Sequence, residues 1–244
     1  MTESTPVVYV VDEDSSLRQS LELLCQSVGW RSQTYATVHG FLNMNRNRFP
    51  ACLVMDLHLS DCDGLELQHK IAIDQPSVPI IFITALEDMA MAVHAMKNGA
   101  VEVLTKPVDE AHLLLVLERA IALSSDTLAL EEDMRILRDR YASLSPREQE
   151  VMSLVAAGQL NKTVGAQLGI SEITVKAHRG NVMRKMSASS LAQLVIMASL
   201  LGVVAASTYP HSVKQWELGR SRAHATDGGS LTLSGFHGPI AMRG

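Results

Sequence analysis

Residues 51–64, ACLVMDLHLSDCDG, constrain the fold more than any other part of the chain. The apolar run 52–55 reads as a strand buried on both faces, the pattern of a parallel sheet covered by helices. It stops on the carboxylate of Asp56, and a polar turn closed by Gly64 follows. An acid is thereby set at the carboxyl end of a strand, where open α/β sheets place their chemistry. An acid there also serves as an ordinary helix or loop cap.

Two more strand ends give that acid company. Residues 7–11, VVYVV, form a second buried strand that runs into Asp12, Glu13 and Asp14. Three acids at one strand end, facing a fourth from another, repel strongly in a partly desolvated cleft unless a cation lies between them, and an oxygen-only cluster of this kind suits magnesium. Residues 101–104 form a third strand leading into Thr105, Lys106 and Pro107, so Lys106 brings a point positive charge to the same sheet edge.

The first half alternates strand and helix patterns throughout: strands at 7–11, 31–35, 51–56, 79–84 and 101–104, with helices at 14–28, 38–44, 65–73, 88–97 and from 110 onward. Five βα units joined by short loops predict a doubly wound, five-stranded parallel sheet with right-handed crossovers. At 244 residues the chain has room for a second, smaller domain. Charge divides in the same way. Residues 1–125 carry a net −8 and residues 144–204 a net +3, which points to two domains with different partners. The three cysteines, Cys25, Cys52 and Cys62, form no CxxC pair and leave an odd count, which argues against a disulfide framework or a zinc site. The opening MTESTP lacks the basic and apolar regions of a signal peptide, so a cytoplasmic location is expected.

In order and spacing, VVYVVDED, CLVMDLHLSDCDG, PIIFITA and KNGAVEVLTKP resemble the receiver domain of two-component response regulators, over a domain spanning 5–122. The resemblance implies the strand order 2-1-3-4-5. It also implies roles. Asp56 is then the phosphoacceptor, attacking the phosphoryl group carried by a sensor histidine kinase. Asp12, Glu13, Asp56 and the backbone carbonyl of His58 hold Mg2+. Thr84 hydrogen-bonds the phosphoryl oxygens, Lys106 pairs with them, and the Lys106–Pro107 peptide is cis. Three positions depart from the family pattern: Glu13 stands where Asp is usual, Ser60 where Pro is usual, and Val103 where an aromatic switch residue is usual.

From residue 110 to 144, apolar residues recur at three-four spacing, with only Thr127 off pattern. One reading is a single long helix that continues the last receiver helix and pairs with another copy. The other has Ser124, Ser125 and Asp126 breaking the run, leaving a separate helical linker over 123–143.

The second domain, 144–206, begins with a helix start written as a capping box: Ser145, then Pro146, then Glu148 at the third position. Next come a helix to Leu168, a turn at Gly169, a new cap at Ser171 and a longer helix to Met186, which together make a helix-turn-helix. The full string LSPREQEVMSLVAAGQLNKTVGAQLGISEITVKAHRGNVMRKM resembles the LuxR-type DNA-binding domain. On the second helix of the pair, Val175, His178, Val182 and Met186 lie on the inward face, while Lys176, Ala177, Gly180, Asn181 and Arg184 lie opposite. In that family this helix enters the major groove, which assigns Lys176 to base edges and makes Ala177 available to a thymine methyl. Lys162, Thr174, Arg179, Arg184 and Lys185 are assigned to phosphates. A fourth helix at 190–202 is apolar but too short to span a bilayer, so it is read as a packing and dimer helix with no membrane role. The tail 207–244 is expected to be disordered.

The expected molecule is a non-enzymatic transcriptional response regulator of the FixJ subgroup, phosphorylated on Asp56 and binding DNA as a homodimer, with RNA polymerase as a further partner. A phosphorylation-independent DNA-binding protein that uses the receiver only to dimerise is the alternative, supported by Glu13, Ser60 and Val103. An aspartate-nucleophile phosphatase needs a second acid two residues after Asp56, and that position is His58.

Overall fold

A computed structural model describes residues 5–43, 49–85 and 89–204. The chain divides into two compact units, Met1–Asp139 and Arg140–Gly244.

In the first unit, strands β1 (Val7–Val11), β2 (Arg31–Tyr35), β3 (Ala51–Asp56), β4 (Ile80–Thr84) and β5 (Glu102–Thr105) form one parallel sheet in the order β2-β1-β3-β4-β5. Helices α1 (Ser15–Ser27), α2 (Val38–Leu42), α3 (Gly64–Asp74) and α4 (Met89–Lys97) fill the connections, and α5 (Glu110–Ala142) follows β5. Alternate strand residues serve opposite faces. Val7, Tyr9, Val11, Leu53, Met55 and Phe82 pack with Phe41, Leu67, Ile71 and Ala95, so α2, α3 and α4 cover one face. Val8, Val10, Cys52, Val54, Ile81, Ile83 and Leu104 pack with Leu21, Cys25, Leu113 and Leu117, so α1 and α5 cover the other. Strands buried on both faces read as unbroken apolar runs for this reason.

Asp14 caps α1, its carboxylate accepting the backbone N–H groups of Ser16 and Leu17. The polar turn expected after Asp56 contains a small antiparallel hairpin, His58–Leu59 against Cys62–Asp63. Gly64 closes it because a Cβ there would stand 2.8 Å from the carbonyl oxygen of Leu57. The predicted ends of α2 at Met44 and the start of α4 at Asp88 lie outside the described residues.

Helix α5 is continuous, which decides between the two readings of residues 110–144. Ser124 does not break it. The side chain is buried, and its hydroxyl accepts the N–H of Ala51 at 2.9 Å and donates to the carbonyl of Ser77 at 2.6 Å. A polar residue that competes with helix structure in an exposed chain is here used by tertiary hydrogen bonds. The expected linker 123–143 is therefore part of α5, most of it within the first unit.

In the second unit, α6 (Pro146–Ala156), α7 (Asn161–Leu168), α8 (Glu172–Met186) and α9 (Leu191–Leu200) enclose a core that includes Val151, Val155, Val164 and Val175. The Ser145–Glu148 capping box is formed. Gly169 ends α7 at φ 68°, the left-handed conformation in which a side chain is costly, and Ser171 caps α8 immediately afterwards. No described helix is long and apolar enough to cross a membrane. The tail from 207, and the last two residues of the expected 144–206 domain, lie outside the described residues.

Candidate functional site

Strand register assembles the first site. Val11 aligns with Met55, so the next residues, Asp12 and Asp56, emerge side by side. Asp56 aligns with Ile83, and Thr84 with Thr105, so Thr84 and then Lys106 follow along the same edge. The Lys106 Nζ donates to Asp56 Oδ2 at 2.7 Å and to Asp12 Oδ2 at 3.0 Å. Asp12 is buried and Asp56 partly so, and one ammonium offsets the repulsion between them. Burial opposes the charge on Lys106, but the hydrogen bonds and negative charges of Asp56 and Asp12 outweigh it and hold its pKa above the ordinary lysine value. The remaining Asp56 oxygen, Oδ1, accepts the His58 N–H at 3.0 Å, and Asp12 Oδ1 accepts that of Asp14 at 2.7 Å. Thr84 is buried at the end of β4, and the Lys106–Pro107 peptide is cis.

Glu13 does not join this cluster as the sequence reading placed it. Its Oε1 accepts the Ser60 N–H at 2.5 Å instead, and hydrogen bonds from Ser60 hold the carboxyl below the usual glutamate range. Two departures from the family pattern account for this: a side chain one methylene longer than Asp, and a residue at 60 that has an N–H where proline has none. Among the described residues no three His, Cys, Asp or Glu side chains are gathered as a metal-holding group. Val103 packs half-buried against the face covered by α2, α3 and α4.

The second site is the outer face of α8. Val175, Val182 and Met186 are fully buried and His178 half-buried, so Lys176, Ala177, Gly180, Asn181 and Arg184 are left exposed on one stripe. Lys176 pairs with Glu172 at 3.0 Å one turn earlier, and Arg184 donates to Asn181 Oδ1 at 3.3 Å. Lys162 is exposed on the first turn of α7, and Arg179 reaches Asn161 Oδ1 at 3.4 Å. The Thr174 hydroxyl is engaged with that of Ser171 at 2.8 Å.

Lys185 is placed differently from its assignment to phosphate. It donates to the buried Glu148 at 2.6 Å and to the Ser143 carbonyl at 3.2 Å, so an internal carboxylate holds the charge. Sequence reasoning missed Ile173, which is 80% exposed on the DNA-facing stripe. Its signal was an apolar residue out of phase with Val175, Val182 and Met186.

An acid pair bridged by lysine at the edge of a doubly wound sheet, followed by a helix-turn-helix, defines a response regulator that acts in transcription. Residues 8–118 match the response regulator receiver domain, and residues 142–198 match the bacterial regulatory proteins of the luxR family. The chain belongs to the FixJ-like response regulators of two-component systems. It is 41% identical to Nodulation protein W of Bradyrhizobium diazoefficiens, over 83% of this chain and 89% of that protein. It is 37% identical to the transcriptional regulatory protein FixJ of Rhizobium meliloti, over 81% and 96% of the two chains. The solved structure of the response regulator StyR matches with a TM-score of 0.70 at 39% identity, covering 80% of this chain and 99% of that one.

Proposed function

We propose that Asp56 is the phosphoacceptor, that phosphorylation favours a homodimer, and that the dimer binds paired DNA half-sites through α8. The observation that carries the reading is the single ammonium of Lys106 held between Asp12 and Asp56. An Asp56 carboxylate oxygen forms the bond to phosphorus as the phosphorus–nitrogen bond to the kinase histidine breaks, and the departing imidazole recovers its proton. Lys106 then pairs with the new phosphoryl charge, and the Thr84 hydroxyl, one residue beyond the Asp56–Ile83 pairing, donates to a phosphoryl oxygen.

Receiver domains take Mg2+ beside the phosphoacceptor. The carboxylates of Asp12 and Asp56 and the carbonyl of His58 are hard oxygen donors of the kind this ion prefers, and the shared contact with Lys106 puts both carboxylates within reach of one cation. Bound there, the ion neutralises the charge that develops during transfer. Glu13 contributes only after releasing the Ser60 amide.

Dimerisation supports the DNA step by linkage. Two α8 helices on one particle turn the second half-site contact into an intramolecular event, and the doubled phosphate contacts raise affinity in a salt-dependent way. RNA polymerase is the partner such a regulator acts on, and the cytoplasm is where kinase and DNA are both available to it. The half-buried Val103, in place of an aromatic switch residue, favours a second reading in which the receiver is a fixed dimerisation module.

The test compares wild type with Asp56→Asn, each with and without magnesium and acetyl phosphate, for phosphoryl uptake, particle size and DNA affinity. Uptake, dimerisation and tighter binding by wild type alone support the switch. Equal size and affinity for both proteins under every condition favour the fixed module.

A further inference from the structure

Ile173 is the most exposed of the large apolar side chains described, at 80%. A single exposed apolar residue is ordinary on a protein surface, but the phase of this one is not. Stepping by three and four from Ile173 along α8 reaches Lys176, Ala177, Gly180, Asn181 and Arg184, all exposed, while Val175, Val182 and Met186 are fully buried on the opposite side. Ile173 therefore has no role in the core and stands on the polar stripe itself, at the second residue of the helix. The N-terminal part of a recognition helix is the part that meets base edges. Side-chain bulk also falls away along the stripe, from Ile173 through Ala177 to Gly180, where nothing lies within 4 Å of the missing Cβ. That taper lets the helix approach the groove floor closely, within reach of the Ile173 methyl groups. On the polar side, the Glu172–Lys176 pair fixes the cation one turn away, so the apolar contact and the charged one are held apart on neighbouring positions.

We propose that Ile173 is a specificity-determining residue that packs on the C5-methyl group of a thymine in the major groove, imposing a thymine at one position of each half-site. The proposal rests on α8 being the helix that enters the groove. Thymine is the chemical match because it alone presents a methyl group on the major-groove edge. Adenine, guanine and cytosine offer only polar groups there, which an isoleucine would desolvate without compensation.

The experiment uses the full-length protein treated with magnesium and acetyl phosphate. Preferred duplexes are selected from a random-sequence pool, and each thymine of the best duplex is then replaced singly by deoxyuridine, which lacks only the methyl group. The expected result is a thymine in each half-site whose replacement weakens wild-type binding about fourfold, the worth of one buried methyl-sized group, and whose replacement has no effect on Ile173→Ala. A deoxyuridine effect owed to Ala177 stays unchanged in that variant, which separates the two contacts. Thermal unfolding of Ile173→Ala matching wild type confirms that the fold is intact, as expected for a side chain this exposed. If Ile173→Ala keeps every deoxyuridine effect and selects the same sequence, the proposal is overturned. If Lys176→Ala and Arg184→Ala also bind as tightly as wild type, the groove assignment of α8 fails as well, and the proposal with it.

Discussion

Glu13 Oε1 accepts the backbone N–H of Ser60 at 2.5 Å, tying the turn after β1 to the turn after β3 across 47 residues of sequence. The two positions depart from the receiver pattern together, and the contact joins them. Proline has no N–H to donate, so Ser60→Pro releases the Glu13 carboxylate to the side of Asp12. The variant is expected to bind magnesium a few-fold more tightly than wild type in calorimetric titration. Ser60→Ala keeps the N–H and is expected to fall between them, since the Ser60 side chain also helps to hold Glu13 charged. Identical affinities for all three proteins would show that Glu13 has no bearing on the metal.

Lys106 stabilises the fold as well as serving the site. Its folded-state pKa is raised, so its contribution is fully present below the unfolded lysine value of about 10.4 and is lost as pH rises through the folded value. Lys106→Met leaves the buried Asp12 carboxylate without its cation and is expected to cost about 1–3 kcal/mol near neutral pH without magnesium. Urea unfolding in chelator should show wild type losing its advantage over the variant on the alkaline side only. An advantage that vanishes on the acid side instead would assign it to another group.

Ser124→Ala removes both partners of a buried bridge, leaving the Ala51 N–H and the Ser77 carbonyl unmatched. A loss of about 1–3 kcal/mol is expected, with Ser124→Thr recovering part of it if the added methyl group fits. An unfolding midpoint that does not move for Ser124→Ala would mean that water replaces the hydroxyl.

Gly180 lies inside α8 with open space where its Cβ would stand. Gly180→Ala is expected to stabilise the protein by about 1 kcal/mol through helix propensity alone. Thermal unfolding checks this, and an unchanged or lowered midpoint would count against it.

What could be read from the chain, and what could not, divides by the range of the interaction. Asp12, Asp56, Thr84 and Lys106 were legible because each directly ends an apolar run, and parallel register brings the ends of such runs to one edge. The capping box at Ser145 and Glu148 was legible because both halves lie within four residues. Ser124 was not, because Ser-Ser-Asp weakens a helix locally and only the buried ends of Ala51 and Ser77 reverse the balance. The Glu13–Ser60 contact depends on two loops meeting, which no periodicity records. Lys185 and Lys162 are the same letter in a basic stretch. Only the packing of α6 against α8 shows that one of them faces an internal acid.

That internal acid gives the last prediction. Lys185 Nζ lies 2.6 Å from Glu148 Oε2, and the same oxygen accepts the Ser145 N–H at 2.8 Å. The lysine first, and then the Ser145 amide, hold the Glu148 carboxyl below the usual glutamate range. A depressed acid contributes stability above its unfolded pKa, about 4.3, and loses it as pH falls through the folded value. Lys185→Met strands a buried carboxylate, so a cost of about 1–3 kcal/mol is expected at neutral pH, shrinking as the solution is acidified. Because the lysine is committed internally, the salt dependence of DNA binding should keep its slope in this variant, whereas Lys162→Met should reduce the slope by about 0.9 for one lost phosphate contact. Were Lys185→Met to flatten the slope as much as Lys162→Met while leaving the unfolding midpoint in place, Lys185 would be a phosphate ligand, and its bond to Glu148 would give way when DNA binds.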